Sequence, residues 1–177
     1  MKTIITVLFV SVFSFGFAQG LVESYDESCK CTHIQNHFDN GQISTEYTEN
    51  AAGKKHGEET VYYADGNIQY KRTWKNGSLD GIGTHYHRNG SVYYEESHDD
   101  GIKNGAWSFR DEDGELIQVI NYSGNDNDGT YEYYHAGVKY YTQTVSSGKL
   151  ISENVLNQTI YDQLKAEAEA AKAAGKQ

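Results

Sequence analysis

The chain has 177 residues, 25 of them acidic and 15 basic, for a formal net charge of −10. That length suits one domain, and the acidic balance disfavours nucleic acid and anionic membranes, both of which bind through Lys and Arg. Leu, Ile, Val and Phe number 34, ten of them within the first 18 residues, so the remainder is too poor in aliphatics for a large two-layer core. Fifteen Tyr and two Trp offer other surface to bury and argue against disorder.

Residues 1–18 read as a signal peptide. Lys2 is followed by the apolar stretch Ile4-Ile5-Thr6-Val7-Leu8-Phe9-Val10, and Gly16 and Ala18 supply small residues for cleavage before Gln19. The expected product is exported, periplasmic or secreted, and its loss of Lys2 takes the charge to −11. No Cys stands at the cleavage point, which disfavours a lipoprotein, and no later apolar run approaches the ~20 residues of a spanning helix.

The N-terminal segment 19–37 holds Cys29-Lys30-Cys31 with His33 and His37. Thiolate and imidazole ligands at short spacing can bind zinc. In an exported chain two Cys more often pair with each other, and no second Cys pair completes a zinc knuckle. A disulfide or free thiols are therefore favoured over metal, and no metal or cofactor is expected.

From residue 38 to 150 the chain repeats. Gly57, Gly81, Gly105 and Gly129 recur every 24 residues, and Gly66, Gly90, Gly114 and Gly137 follow at 24, 24 and 23. Gly53, Gly77, Gly101, Gly124 and Gly148 form a third series in phase. The repeats run over about 54–77, 78–101, 102–124 and 125–148, after a partial repeat at 38–53. Each reads as a β-hairpin. Glu58–Tyr63 is a strand, Asp65-Gly66 a tight-turn dipeptide, Ile68–Trp74 the return strand, and Asn76-Gly77 opens the next connection.

Strand alternation sorts the side chains by face. One face carries Glu59, Val61 and Tyr63, then Gly83, His85 and His87, then Trp107, Phe109 and Asp111, then Tyr131, Tyr133 and His135. Sheet packing is the ordinary use of such a column. The column is graded, however. Trp107, Phe109, Tyr131 and Tyr133 gather in the last two repeats, opposite Glu59, Val61, Gly83 and His85 in the first two. Because Tyr and Trp dominate binding hot spots, the expected ligand face is Trp107, Phe109, Tyr131 and Tyr133. In the segment 151–177, Asn157 starts a helix with Ile160, Leu164 and Ala168 on one side and Gly175 as its stop. Docking of Ile160 and Leu164 is the competing use of the aromatic face.

These repeats resemble the MORN repeat family in its bacterial variant, whose units read G-x-W-x-x-Y-Y-x-x-G followed by a second strand and N-G or D-G. The third repeat is Gly105-Ala106-Trp107-Ser108-Phe109-Arg110-Asp111-Glu112-Asp113-Gly114, and the fourth is Gly129-Thr130-Tyr131-Glu132-Tyr133-Tyr134-His135-Ala136-Gly137. Glu59 and Gly83 depart from the family's Trp, and His85 from its aromatic. The resemblance implies an all-β fold, an elongated antiparallel meander of tandem hairpins, closed here by the C-terminal helix. It also implies an interaction scaffold, with YwqK-type antitoxin-like proteins among its relatives.

The chain offers no organised case for catalysis. It lacks the serine-elbow, zincin and P-loop patterns. Glu95-Glu96 and Asp99-Asp100 read as solvated edges, and His85, His87 and His98 as packed or solvated side chains without a third ligand. The expected function is non-enzymatic binding of a protein partner, without nucleic acid and with membrane binding disfavoured. The alternative is an envelope-associated glycan module that stacks sugars on Tyr and Trp.

Overall fold

The computed structural model describes residues 20–124 and 128–175. The signal segment and its cleavage point at Gln19 lie outside them. Among the described residues, thirteen strands form an antiparallel meander that ends in one helix, as the repeats imply. The strands are β1 Val22–Asp26, β2 Cys31–His37, β3 Ile43–Glu49, β4 Gly57–Tyr62, β5 Ile68–Lys75, β6 Ser78–Leu79 and β7 Gly81–Tyr86. They continue with β8 Val92–Asp99, β9 Ile102–Arg110, β10 Leu116–Ser123, β11 Gly129–His135, β12 Val138–Ser146 and β13 Lys149–Val155, before the helix α1 Gln158–Ala174.

The described residues pack as two compact units. The N-terminal unit comprises the residues through Ser91 with His98–Gly101, and the C-terminal unit comprises Val92–Ser97 with the residues from Ile102 onward. In the first, β1 to β5 pair in chain order, and β5 also pairs with β6 and with β7. In the second, β9 to β13 pair in chain order.

Two kinds of turn set the register. At Gly41, Gly66, Gly90 and Gly114 a five-residue loop closes on itself, with Tyr63 N–H donating to Asn67 O and Gly66 N–H to Tyr63 O in the second of them. The glycine takes positive φ, +88° at Gly66, where a side chain would be strained. Asn40, Asp65 and Asn89 hold these loops from within, each side-chain oxygen accepting from the backbone N–H two residues on. The other kind is a two-residue turn with both centres at positive φ: Asn76-Gly77, Asp100-Gly101, Ala136-Gly137 and Ser147-Gly148. This is the primed geometry that suits the twist of a hairpin. Asn76-Gly77 thus does more than open a connection; it is the complete turn between β5 and β6.

The spacing of 23 before Gly137 now has a cause. Ala136-Gly137 replaces the longer loop by a two-residue turn, and the one-residue register shift lies inside this hairpin as it does in the others, between Tyr133 and Tyr134 as between Val61 and Tyr62. The deletion is absorbed in the loop and the faces of the strands are kept.

The structure adds strands at both ends of the repeat region. β1 and β2 occupy the segment 19–37, where no glycine stands in the turn between them to reveal a hairpin. β13 follows the Ser147-Gly148 turn and carries the sheet past residue 150. The helix is capped as its sequence suggests, with Ile160 N–H donating to Asn157 Oδ1 and Gly175 N–H to Ala171 O.

Among the described residues the buried apolar side chains are Cys31, Ile34, Trp107 and Ile120. Glu59, Thr60 and Glu96 are buried with them. Glu96 is therefore no solvated edge: alternation along β8 places it on the inward side while Glu95 faces out, where it accepts from Ser108.

Glycine also makes room for rings. Gly57 stands across from Trp74, and Tyr122 stands across from both Gly105 and Gly129, the pairing in which an aromatic covers a strand glycine. A Cβ on Gly129 would lie 2.5 Å from the Asn121 carbonyl oxygen. Gly129→Ala should lower unfolding stability by about 1–3 kcal/mol, measured by urea titration. Gly20→Ala, whose added Cβ meets nothing nearer than 3.7 Å, should leave it unchanged. Equal stabilities for the two variants would contradict the β10–β11 register.

Candidate functional site

The predicted face divides into two groups of rings. Trp107 is 8% exposed. Its ring stacks on Tyr94, with centroids 6.2 Å apart, and its Nε1–H donates to Ser97 O at 3.0 Å. Phe109, half-buried, stacks on Tyr94 at 5.3 Å. Tyr122 meets Trp107 edge-on at 5.3 Å and Tyr131 at 6.4 Å. Lys103 Nζ lies 4.8 Å from the Trp107 ring and 5.3 Å from that of Tyr122, within cation–π range. Trp107, Phe109 and Tyr131 are thus tied into one ladder of rings.

Tyr133 belongs to a second group. Its ring lies 5.5 Å from Tyr141, which in turn lies 5.3 Å from Tyr161 of α1. Tyr133, Tyr140, Tyr141, Gln143, Tyr161 and Leu164 line a concavity of 340 Å³ between β11, β12 and the helix, with Lys165 at its rim. The helix docks here through Tyr161 and Leu164. Ile160, the other residue expected to dock, is half-buried and does not line this groove. Tyr140 and Tyr161 were missed in the sequence. Tyr161 stands three residues before Leu164, a helical neighbour spacing that could have found it.

A hydrogen-bonded chain stiffens the groove. Tyr133 OH donates to Gln143 Oε1 at 3.2 Å, Gln143 Nε2 donates to Tyr141 OH at 3.0 Å, and Tyr141 OH donates to Glu153 Oε2 at 2.6 Å. The bond to the Glu153 carboxylate holds the Tyr141 proton, pushing its pKa up to about 12. Burial raises Tyr140 as well. On the next hairpin position Glu132 accepts from Tyr134 OH and from Lys139, and both bonds lower its pKa.

The first repeat solves the same packing problem differently. Glu59 occupies the place of Trp107 and is 3% exposed. Lys55 pairs with it, Trp74 Nε1–H donates to it at 2.9 Å, and Lys55 Nζ sits 4.4 Å from the Tyr47 ring and 5.0 Å from that of Trp74. A buried carboxylate needs such partners. A second concavity, polar and of 330 Å³, lies on the opposite face of β1 to β4 between Ser24, His33, Gln35, Glu46 and Thr60. No residue predicted for binding lies in it. Cys29 and Cys31 are joined as a disulfide. His85 stacks on Tyr70 and meets the Arg72 guanidinium.

Two segments match the MORN repeat variant: residues 55–76 and 79–100. No curated protein matches the chain. The matched segments are the first two repeats. They carry the phased glycines Gly57, Gly66, Gly81 and Gly90 although Glu59 and Gly83 stand in the aromatic position. Turn geometry rather than the aromatic column thus accompanies the match. MORN repeats are commonly protein- or membrane-interacting modules. Among the described residues no helix is long and apolar enough to cross a membrane.

Tyr62 shares the chemistry of Tyr141: burial, followed by donation to Glu46, pushes it up to about 12. A phenol whose folded pKa exceeds its ordinary value of 10.0 stabilises the fold fully below that value, and the contribution is lost as pH rises toward 12. Stability should therefore fall between pH 10 and about 12. The double variant Tyr62→Phe/Tyr141→Phe should show a shallower fall in melting temperature across that window. Parallel profiles for the two proteins would refute the assignment.

Proposed function

We propose that the protein is an exported, non-enzymatic scaffold of the bacterial MORN-variant type that binds a protein partner through its C-terminal half. The antitoxin-like YwqK-type proteins that its repeats resemble are its model in this respect. The observation that carries the reading is the tyrosine-lined groove between β11, β12 and α1. Four phenol rings converge on one 340 Å³ concavity, in a chain where apolar side chains are scarce. Tyrosine gives large contact area at small entropic cost and a hydroxyl for orientation, which is why it is enriched at interface hot spots. Tyr131 and Tyr133 share a face of β11, which sets the ladder of Trp107, Phe109 and Tyr131 beside the groove.

Sugar stacking finds less support. It needs coplanar exposed rings, whereas Trp107 is buried and the planes of Trp107 and Tyr131 cross that of Tyr122 at 76° and 74°.

The test uses the exported protein, whose intact mass should begin at Gln19. A photo-cross-linking residue at Tyr140 should capture one partner from the native envelope fraction, and the same residue at Asp65 should capture none. With that partner purified, Tyr133→Ala and Tyr161→Ala should each weaken binding about 30-fold, the equivalent of ~2 kcal/mol at a hot spot, while each variant, though less stable, stays folded at the assay temperature. Unchanged affinity in both folded variants would move the binding surface elsewhere.

A further inference from the structure

We propose that the hairpin tip joining β1 to β2 is a redox-gated site for a thiophilic divalent cation such as zinc, held by Cys29, Cys31 and His33 once the disulfide between the two cysteines is opened. Cys31 and His33 alternate along β2 and so share a face. Cys29 sits in the preceding loop, which turns back through Lys30 at φ +54°. The two sulfurs and a ring nitrogen of His33 all lie within 4.8 Å of one another, and Cys31 Sγ is 3.9 Å from His33 Nε2. Neighbouring sulfur and nitrogen ligands of a tetrahedral zinc stand roughly 3.6 Å apart, and two sulfurs roughly 3.8 Å. The histidine is already in place, and the sulfurs need only separate.

A second residue prepares the histidine. Thr48 stands directly across from His33 on β3, and its Oγ1 lies 3.1 Å from Nδ1. A hydroxyl both donates and accepts. By accepting from Nδ1–H it holds the tautomer that leaves the Nε2 lone pair aimed at the sulfurs. This is the outer-shell arrangement that orients metal-binding imidazoles. Cys31 is buried and anchors the site, whereas Cys29 and His33 are exposed and admit reductant and ion. Two thiolates balance the charge of a divalent cation, and three protein ligands leave one tetrahedral position for water.

The gate is thiol–disulfide exchange with a dithiol. A thiolate of the dithiol attacks the exposed Cys29 sulfur, the bond to Cys31 breaks, and Cys31 leaves as a thiolate beside His33. The second thiol of the donor then closes on the first, forming the donor's disulfide and releasing Cys29. Two electrons and two protons pass to the protein. Both thiol protons go to solvent when the cation binds.

The experiment compares the full chain before and after treatment with a dithiol, which is then removed under anaerobic conditions, using Co(II) as the probe and Zn(II) as competitor. The reduced chain should take up one equivalent of Co(II) with thiolate-to-cobalt charge-transfer absorption that Zn(II) abolishes, and the oxidised chain should show neither. His33→Gln should weaken binding at least ~10-fold and Thr48→Val about 10-fold, with unchanged far-ultraviolet spectra. A reduced chain that binds no Co(II), or a His33→Gln variant that binds as the wild type does, overturns the proposal.

Discussion

Tyr122 lies across from Gly105 on one neighbouring strand and from Gly129 on the other, and its ring reaches Trp107 and Tyr131. This meeting of one ring with two glycines ties backbone register to side-chain packing. With few buried apolar residues, the C-terminal unit draws its cohesion from contacts between rings on adjacent strands. Those contacts exist only if every strand keeps its face, because a slip of one residue sends each ring to the other side. The positive-φ turns prevent the slip. The loop shortened at Ala136-Gly137 shows how strongly the register is held: a residue is lost without turning Tyr131 or Tyr133 away.

The same logic explains why the repeats tolerate different residues at one position. Trp107 is held by Tyr94, Tyr122 and Lys103. Glu59, its counterpart, is held by Lys55 and by Trp74 from the return strand. The return-strand ring is kept, Trp74 opposite Gly57 as Tyr122 is opposite Gly105, and so is the lysine that covers two rings, Lys55 or Lys103; only the first-strand slot changes from a ring to a carboxylate, which the lysine neutralises. What repeats is the geometry of turn and face, and the chemistry of the slot varies. Hairpins of this kind can change a buried slot without losing their fold.

The hairpins were legible because glycine at a fixed spacing marks backbone positions that a side chain would strain, most of them at positive φ and Gly129 by close approach, and alternation then assigns the faces. The helix was legible from Asn157, Leu164 and Gly175. β1 and β2 were hidden because their loop turns through Lys30 rather than glycine. The burial of Glu59 and Glu96 was hidden because local sequence shows charge but not the neighbours supplied by other strands. Of the predicted site, Trp107 proved to be held within the ladder, while Tyr133 reached a groove whose other walls come from the return strand and the helix. Tyr140 lies where the register shifts between β11 and β12, and such a shift cannot be read from residue alternation.

Cohesion through the ring ladder is tested most directly by a double-mutant cycle on Tyr94 and Trp107, using Tyr94→Ala, Trp107→Ala and the pair, with unfolding free energies from urea titration. Stacked rings that hold adjacent strands together should show a favourable coupling of about 0.5–1.5 kcal/mol. Additive effects of the two substitutions would contradict it, and the rings would then be independent fillers of a sheet held by its backbone alone.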